Sequence, residues 1–223
     1  MQVSSKLSSE DLANERGPRA RTRRLMLKTA IGVMQSGVTP TVSEVAETAQ
    51  VSRATAYRSF PSQAALIQAV VDEALGPILD WTSDSTDAAE RVSDLLTMAM
   101  PHILEFEATF RASLKLSLEH WAKRQAGTLG DEPQFGRGHR VELLKSAMAP
   151  LRGQLSAKEM DRLVKSLALV FGIELIIVLK DMWNADDAEL ETVALWAARA
   201  LVTAALDQSH GRTSAAAGGG KDR

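Results

Sequence analysis

The sequence predicts an all-α protein with a small N-terminal unit of short helices and a larger helical region behind it. Apolar residues recur at intervals of three and four along most of the 223 residues, as on one face of an α-helix. Helix-start signals include the capping boxes Thr41-Val-Ser-Glu44 and Ser156-Ala-Lys-Glu159. Strand signals are scarce, and aromatic residues make up only 4% of the chain. A hydrophobic content of 45% is enough for a substantial core.

The first eighty residues predict four helices joined by short turns. The first covers about 18–35, because it begins at a proline and ends before a glycine. Capping residues Thr41, Ser52 and Ser62 open the next three helices, and the last of these runs to about residue 80. The predicted inward positions are Met26, Leu27, Ala30, Ile31, Met34, Val42, Val45, Ala46, Ala49, Leu66, Val70, Ala74 and Leu75.

The remaining pattern predicts further helices and one long loop. The helices cover about 87–107 with an interruption near Pro101, a continuation to about 123, then 139–152, 157–183 and 186–208, the last capped by Asn184. Glycine and proline mark residues 127–138 as a loop. The predicted regions are a disordered tail at 1–15, a first domain at 16–62, a second domain at 63–208 and a disordered tail at 209–223.

Charge is distributed unevenly along the chain, although the formal net charge is only −2. Residues 16–60 hold eight arginine and lysine side chains and two glutamates, a net charge of +6. Residues 61–223 are acidic, with a net charge of −6. This distribution predicts that contact with a polyanion is confined to the basic N-terminal part.

Several functional classes lack their usual signals. The chain has no cysteine, which excludes a disulfide, a thiolate metal site and a cysteine nucleophile. No apolar signal-peptide core is present and Glu174 interrupts the most apolar run, so we expect a cytoplasmic protein that does not span a membrane. Catalytic and phosphate-binding motifs are missing, and four scattered histidines have no metal-ligand spacing. We therefore expect neither an enzyme nor a metal or cofactor site.

Residues 41–60 predict a helix-turn-helix, in which a first short helix braces a second one in the major groove of DNA. The second helix runs from Ser52 to Ser59, and we expect Ala54, Ala56 and Phe60 to face inward. Its predicted outward side chains suit contacts with guanine, the thymine methyl group and phosphate: Arg53, Thr55, Tyr57, Arg58 and Ser59. A solvated surface for the arginines and a core position for the tyrosine are the alternatives that the pattern leaves open.

These residues resemble the TetR/AcrR family of bacterial transcriptional regulators in three runs over about residues 19–70. The runs are Thr41-Val-x-x-Val-Ala46, Val51-Ser-Arg-x-Thr-x-Tyr57 and Phe60-Pro-Ser-x-x-x-Leu66. The resemblance implies an all-helical ligand-binding and dimerisation half, and it implies groove or phosphate contacts by Thr41, Ser43, Arg53, Thr55, Tyr57, Arg58 and Ser59. The arginines at 19–24, including Arg21 and Arg23, either reach phosphate or the minor groove or form a solvated helix start.

Three residues depart from the family pattern. Gln50 stands where glycine is usual in the turn, so the turn must hold a less permissive residue. Ala56 replaces a common leucine and thins the small core beneath the second helix. Gln63 replaces a lysine that would touch phosphate, so we expect weaker phosphate anchoring there.

The second region predicts a small-molecule site and a dimer interface. The candidate ligand contacts, which plain core packing also explains, are His102, Phe106, Phe110, Trp121, Phe171 and Glu174. A buried Glu174 needs a partner, and an arginine, a dimer contact or a cationic ligand would each serve. By resemblance, the helices at about 157–183 and 186–208 form a homodimer.

The expected function is a ligand-responsive repressor that binds a palindromic DNA operator and a small-molecule effector. The alternative is an all-helical small-molecule-binding protein that signals through a protein partner rather than DNA. The basic N-terminal part favours DNA.

Overall fold

The structure is a computed structural model that describes residues 17–130 and 139–218. The predicted tail at 1–15 and most of the predicted loop at 127–138 lie outside the described residues. Helices account for most of the described chain and no β-strand occurs within it, so the all-α prediction is confirmed. None of the described helices is long and apolar enough to cross a lipid bilayer.

Ten α-helices occur in the described residues. They are α1 (Pro18–Gln35), α2 (Val42–Thr48), α3 (Arg53–Ser59), α4 (Gln63–Leu79), α5 (Ala88–Glu105), α6 (Glu107–Gln125), α7 (His139–Ala147), α8 (Ala157–Leu167), α9 (Ile173–Ile176) and α10 (Asp187–Gly218). A 3₁₀ turn at Ala149–Leu151 follows α7, and a π-helical segment at Ile177–Met182 continues α9.

The predicted caps of the N-terminal helices are confirmed. The hydroxyl oxygens of Thr41, Ser52 and Ser62 each accept a hydrogen bond from the backbone amide three residues later, at 3.2, 3.3 and 3.1 Å. These hydrogen bonds satisfy amides that have no partner within the first helical turn. Most predicted inward positions of α1 and α2 are buried, namely Met26, Leu27, Ala30, Met34, Val42, Val45 and Ala46, while Ile31 and Ala49 are half-buried.

The chain forms two compact units. The first contains the residues up to Ala74 and the segment from Phe106, which together hold α1–α3, most of α4 and α6. Within it, α1 packs against α2, α3 and α6, and α2 packs against α3. The second contains Leu75–Glu105 and the described residues from 139 onward, where α5 packs against α7 and α10, and α8 contacts α7 and α10. The helix α6 therefore belongs to the same unit as the N-terminal helices.

The prediction of one continuous helix over 157–183 is wrong. Helix α8 ends at Leu167 and α9 begins only at Ile173, after Gly172 with φ 118° and ψ −164°. Glycine adopts this backbone conformation, which a residue with a Cβ adopts only under strain. The apolar pattern continues through the interruption, so periodicity could not reveal it. Helix α7 likewise stops at Ala147, short of its predicted end, because a proline follows three residues later.

The bounds of the last helix also differ from the prediction. Asp186, not Asn184, caps α10, because its Oδ1 accepts a hydrogen bond from the backbone amide of Glu189 at 2.8 Å. Asn184 has φ 54° and lies between α9 and α10 rather than at a helix start. The helix then continues to Gly218, past the predicted end at 208, through an alanine run with high helix propensity.

Candidate nucleic-acid interface

The turn between α2 and α3 joins the two helices as a helix-turn-helix. Gln50 has φ 54°, in the left-handed region. The amide of Val51 donates to the carbonyl of Ala46 at 2.8 Å, and the amide of Gln50 donates to that of Glu47 at 3.1 Å. This pair of hydrogen bonds is a Schellman motif, in which glycine is the usual left-handed residue. Glutamine at this position adds strain of about 1 kcal/mol.

The start of α2 is a reciprocal capping box. The backbone amide and the hydroxyl of Thr41 both donate to Glu44 Oε2, at 2.6 and 2.9 Å. These hydrogen bonds, above all the one from the backbone amide, lower the pKa of Glu44. Thr41 is a predicted DNA contact, but its hydroxyl cannot donate to a phosphate while it donates to Glu44.

The exposed face of α3 differs from the predicted one at Ala54, and at Thr55 and Ser59, which are only half-exposed. Arg53, Tyr57 and Arg58 are exposed as expected, and Ala54 is exposed beside them although it was expected to face inward. The cause is helical geometry, since positions 53, 54, 57 and 58 lie on one face and the buried Ala56 lies on the other. Ala54 is thus a candidate groove residue that the apolar pattern missed, and its methyl group suits contact with thymine.

Two of the predicted contacts on α3, Thr55 and Ser59, are half-buried. The hydroxyl of Ser59 donates to the carbonyl of Thr55 at 3.2 Å. The hydroxyl of Thr55 lies 2.9 Å from that of the capping residue Ser52. These side chains therefore stabilise the short helix, and they border its exposed face.

Tyr57 links the two short helices. Its phenol oxygen lies within hydrogen-bond distance of the Ser43 hydroxyl on α2, at 3.2 Å. Its side chain is 46% exposed, so the alternative of a core position does not hold. The hydrogen bond orders a large polar side chain at the surface, and it brings together two residues that the sequence assigned separately to DNA contact.

The arginines of α1 fall into two environments. The guanidinium of Arg23 lies over the ring of Phe60, with its central carbon 5.1 Å from the ring centroid. This cation–π contact places Arg23 against the buried side chain that ends α3. Arg21 is also exposed, and its guanidinium has no such ring contact among the described residues. Arg21 is accordingly the better placed of the two to meet a phosphate.

Gln63 has an internal role at the start of α4. Its Nε2 donates to the carbonyl of Pro40 at 3.1 Å and lies 3.5 Å from that of Thr39. The side chain thereby anchors α4 to the segment that precedes α2. The Gln63 side chain, which stands where the family pattern has a lysine, therefore forms its hydrogen bonds within the protein.

The N-terminal part of the chain matches a family model over residues 28–70, which include α2, α3 and the turn between them. The model is described as that of bacterial regulatory proteins of the tetR family. Residues 28–70 are therefore similar to the N-terminal part of TetR-family proteins. This match supports a DNA-binding transcriptional regulator of TetR type. A search of curated proteins gave no match.

The fold is similar to that of a TetR transcriptional regulator from Rhodococcus sp. RHA1, whose crystal structure is known. The two chains share 18% sequence identity, and the TM-score is 0.58. The match covers 83% of this chain and 97% of the other. The likeness therefore extends beyond the helix-turn-helix and shows that most of the chain has the TetR fold.

The six predicted ligand contacts are divided between the two units. Phe106, Phe110 and Trp121 belong to the first unit, and His102, Phe171 and Glu174 belong to the second. Phe110 and Phe171 are buried, whereas the side chain of Trp121 is 57% exposed. His102 Nδ1 lies 3.5 Å from Glu105 Oε2. A ligand-binding role for these six residues stays a prediction.

Glu174 has an arginine partner, one of the three that the sequence left open. Arg140 Nη2 donates to Glu174 Oε2 at 2.6 Å, and Nη1 donates to the carbonyl of Ala168 at 3.0 Å. A Cβ placed on Gly172 would collide with the same guanidinium. Arg140 thus binds both sides of the interruption between α8 and α9. Its distance along the chain, 34 residues from Glu174, explains why the sequence did not indicate the pair.

Proposed function

We propose that this protein is a TetR-type, ligand-responsive repressor that binds a palindromic operator as a homodimer. Each copy places its α3 in one of two successive major grooves, and a small molecule changes the fit of the pair to DNA. The observation that carries the proposal is the exposed face of α3, where two arginines and a tyrosine project from a helix-turn-helix. This motif lies within a segment of net charge +6.

The side chains on α3 and α1 have distinct expected roles. Arg53, near the start of α3, suits a bidentate contact with guanine, and Arg58 suits a phosphate. Tyr57, oriented by Ser43, suits a phosphate through its hydroxyl group. Arg21 adds a charge that attracts DNA of any sequence.

A homodimer is supported by exposed apolar side chains around α9 and α10. The side chains of Trp183 and Trp196 are 75% and 72% exposed, and Leu169 and Met182 are as exposed as these. On α10, the buried residues at 190, 194, 198 and 202 occupy one face, and Trp196 lies opposite them. Large exposed apolar and aromatic side chains are typical of a protein interface.

A ligand response is supported by the position of α6. This helix carries two of the predicted ligand contacts, Phe110 and Trp121, and Phe106 immediately precedes it. It packs against α1, which leads into the helix-turn-helix, and it belongs to the same compact unit. A ligand that shifts α6 would therefore act directly on the DNA-binding helices.

Selection of genomic fragments by the purified protein tests the DNA-binding part. We expect enriched fragments to contain an inverted repeat, and affinity for that repeat to fall steeply with salt. Lys158→Ala should bind the same repeat as the unmodified protein, because it removes an exposed charge on α8, far along the chain from α3. Recovery of a protein partner without any enriched DNA would favour the alternative function.

Sedimentation of the full chain tests the dimer. We expect Trp196→Glu to shift the protein towards monomer and to weaken operator binding, since a charge would be buried at the interface. Trp121→Glu is the control for the oligomeric state, because this tryptophan is also exposed but lies on α6, outside the proposed interface. An unchanged dimer in Trp196→Glu would remove α10 from the proposed interface.

A further inference from the structure

A groove runs along α7 and α8 in the second unit, and its lining includes neither Trp183 nor Trp196. Its volume is about 530 Å³. Both Ala157 and Ala168, at the two ends of α8, contribute to its wall. At 1.5 Å per residue, the groove is therefore about 16 Å long.

The lining of the groove is apolar at its base. Met148 is fully buried and Val164 is nearly so, while Met160 and the exposed Val141 form its sides. An exposed apolar channel of this kind favours an apolar chain, and methionine adapts its side chain to such an occupant. The shape and lining together suit a narrow, flexible hydrocarbon better than a planar ring.

The rim of the groove is cationic. Lys145, Arg152 and Lys165 line it together with a single carboxylate, that of Asp161. Lys165 is paired with Asp161 at 2.7 Å, and Lys145 is paired with Glu142 at 3.0 Å. The exposed guanidinium of Arg152 has neither an ion pair nor a hydrogen bond to a side chain among residues 17–130 and 139–209. An anionic group therefore fits best beside Arg152.

We propose that this groove binds an amphipathic carboxylate, such as a medium-chain fatty acid. The hydrocarbon chain lies on Met148 and Val164, and the carboxylate binds the guanidinium of Arg152 through charge-assisted hydrogen bonds. The far end of the groove is the wall at Ala168, whose carbonyl accepts a hydrogen bond from Arg140. The site needs neither DNA nor a second copy of the chain, so it is independent of the proposed repressor function.

Calorimetric titration of the full chain with decanoate, below its critical micelle concentration, tests the site. We expect decanoate to bind, acetate to show no binding because it lacks the chain, and decanol to bind at least tenfold more weakly because it lacks the charge. Decyltrimethylammonium, which has the opposite charge, should bind no better than decanol. Equal binding of all three long-chain probes would overturn the proposal, because it would indicate unspecific apolar adhesion.

Two variants locate the site. Arg152→Gln should weaken decanoate binding about tenfold, and Ala157→Phe, which fills one end of the groove from an exposed position, should abolish it. Lys158→Gln removes a neighbouring positive charge outside the groove and should bind decanoate like the unmodified protein. Circular dichroism checks that each variant is folded. Unchanged decanoate binding in both folded groove variants, or no binding of decanoate to the unmodified protein, would overturn the proposal.

Discussion

Gln50 in the first unit and Gly172 in the second both have unusual backbone conformations, and the two are stabilised in different ways. Gln50 is left-handed in the turn of the helix-turn-helix, and hydrogen bonds that reach no more than five residues along the chain hold it there. Gly172 interrupts the helical segment in the second unit, and Arg140, 28 and 34 residues from its two partners, binds the residues on either side. Gln50 is exposed to solvent, whereas the Arg140 guanidinium packs against the Cα of Gly172.

The difference shows how much freedom each position leaves to its side chain. The left-handed region near φ 54° admits a side chain at modest cost, so glutamine can replace the usual glycine there. The backbone conformation at Gly172 is strained for other residues, and Arg140 occupies the space that a Cβ would need. A side chain is therefore excluded at this position for two reasons. Four predictions test this contrast and the interface that the first turn supports.

The largest effect is expected from Gly172→Ala, which should lower the free energy of unfolding by about 3 kcal/mol. The added Cβ would strain the backbone and displace the Arg140 guanidinium. Urea unfolding measures the change. Gly32→Ala is the control, because nothing lies within 4 Å of its added Cβ and alanine should stabilise α1 there by about 1 kcal/mol.

A double-mutant cycle separates the two causes at Gly172. In an Arg140→Ala background, Gly172→Ala should cost less, because the collision is gone and only the backbone strain remains. An equal cost in both backgrounds would show that Arg140 yields without penalty, and the contrast with Gln50 would then rest on the backbone alone.

The next effect concerns the helix that the first turn presents to DNA. Arg53→Ala should weaken operator binding by about 2 kcal/mol and relax the base preference at one position, because a bidentate contact is lost. Arg21→Ala should instead weaken binding to all sequences and flatten the salt dependence. Fluorescence anisotropy with operator and random DNA at several salt concentrations distinguishes the two patterns. Identical effects of both substitutions would argue against base contact by Arg53.

A smaller effect of opposite sign is expected from Gln50→Gly. The free energy of unfolding should rise by about 1 kcal/mol, because glycine adopts the left-handed conformation without steric cost. Gln50→Asn should give an intermediate gain, since asparagine tolerates this region better than glutamine. A loss of stability in Gln50→Gly would mean that the entropy of glycine in the unfolded chain outweighs the strain.

The smallest effect concerns the capping box of α2. Because the pKa of Glu44 is lowered in the folded protein, its carboxylate stabilises the fold above the unfolded pKa near 4.5, and this contribution is lost as pH falls through the folded pKa. Glu44→Gln should therefore be less stable than the unmodified protein at pH 7, and the difference should shrink below pH 4.5. Thermal unfolding across pH measures it, with Glu47→Gln in the last turn of the same helix as a control. A difference that is constant with pH would exclude the carboxylate as its cause.

The first unit was largely predictable because its signals are local. Thr41, Ser52 and Ser62 cap their helices through residues three positions away, so a short stretch of sequence contains both partners. The exposure of Arg53, Tyr57 and Arg58 was predictable too, because their positions lie on one face of a short helix whose start the sequence marks. The exception is Ala54, whose apolar side chain suggested burial although helical geometry places it on the exposed face.

The sequence by itself determined that the chain is helical, where its N-terminal helices begin, and that a TetR-type helix-turn-helix lies in a basic segment. The tertiary structure decided the contacts between distant residues: Arg140 with Glu174 and Ala168, and Arg23 with Phe60. The interruption at Gly172 belongs to this second group. The physical reason is that capping and periodicity act within a few residues, whereas the site of an interruption in a helix depends on which distant side chain can stabilise its unpaired groups.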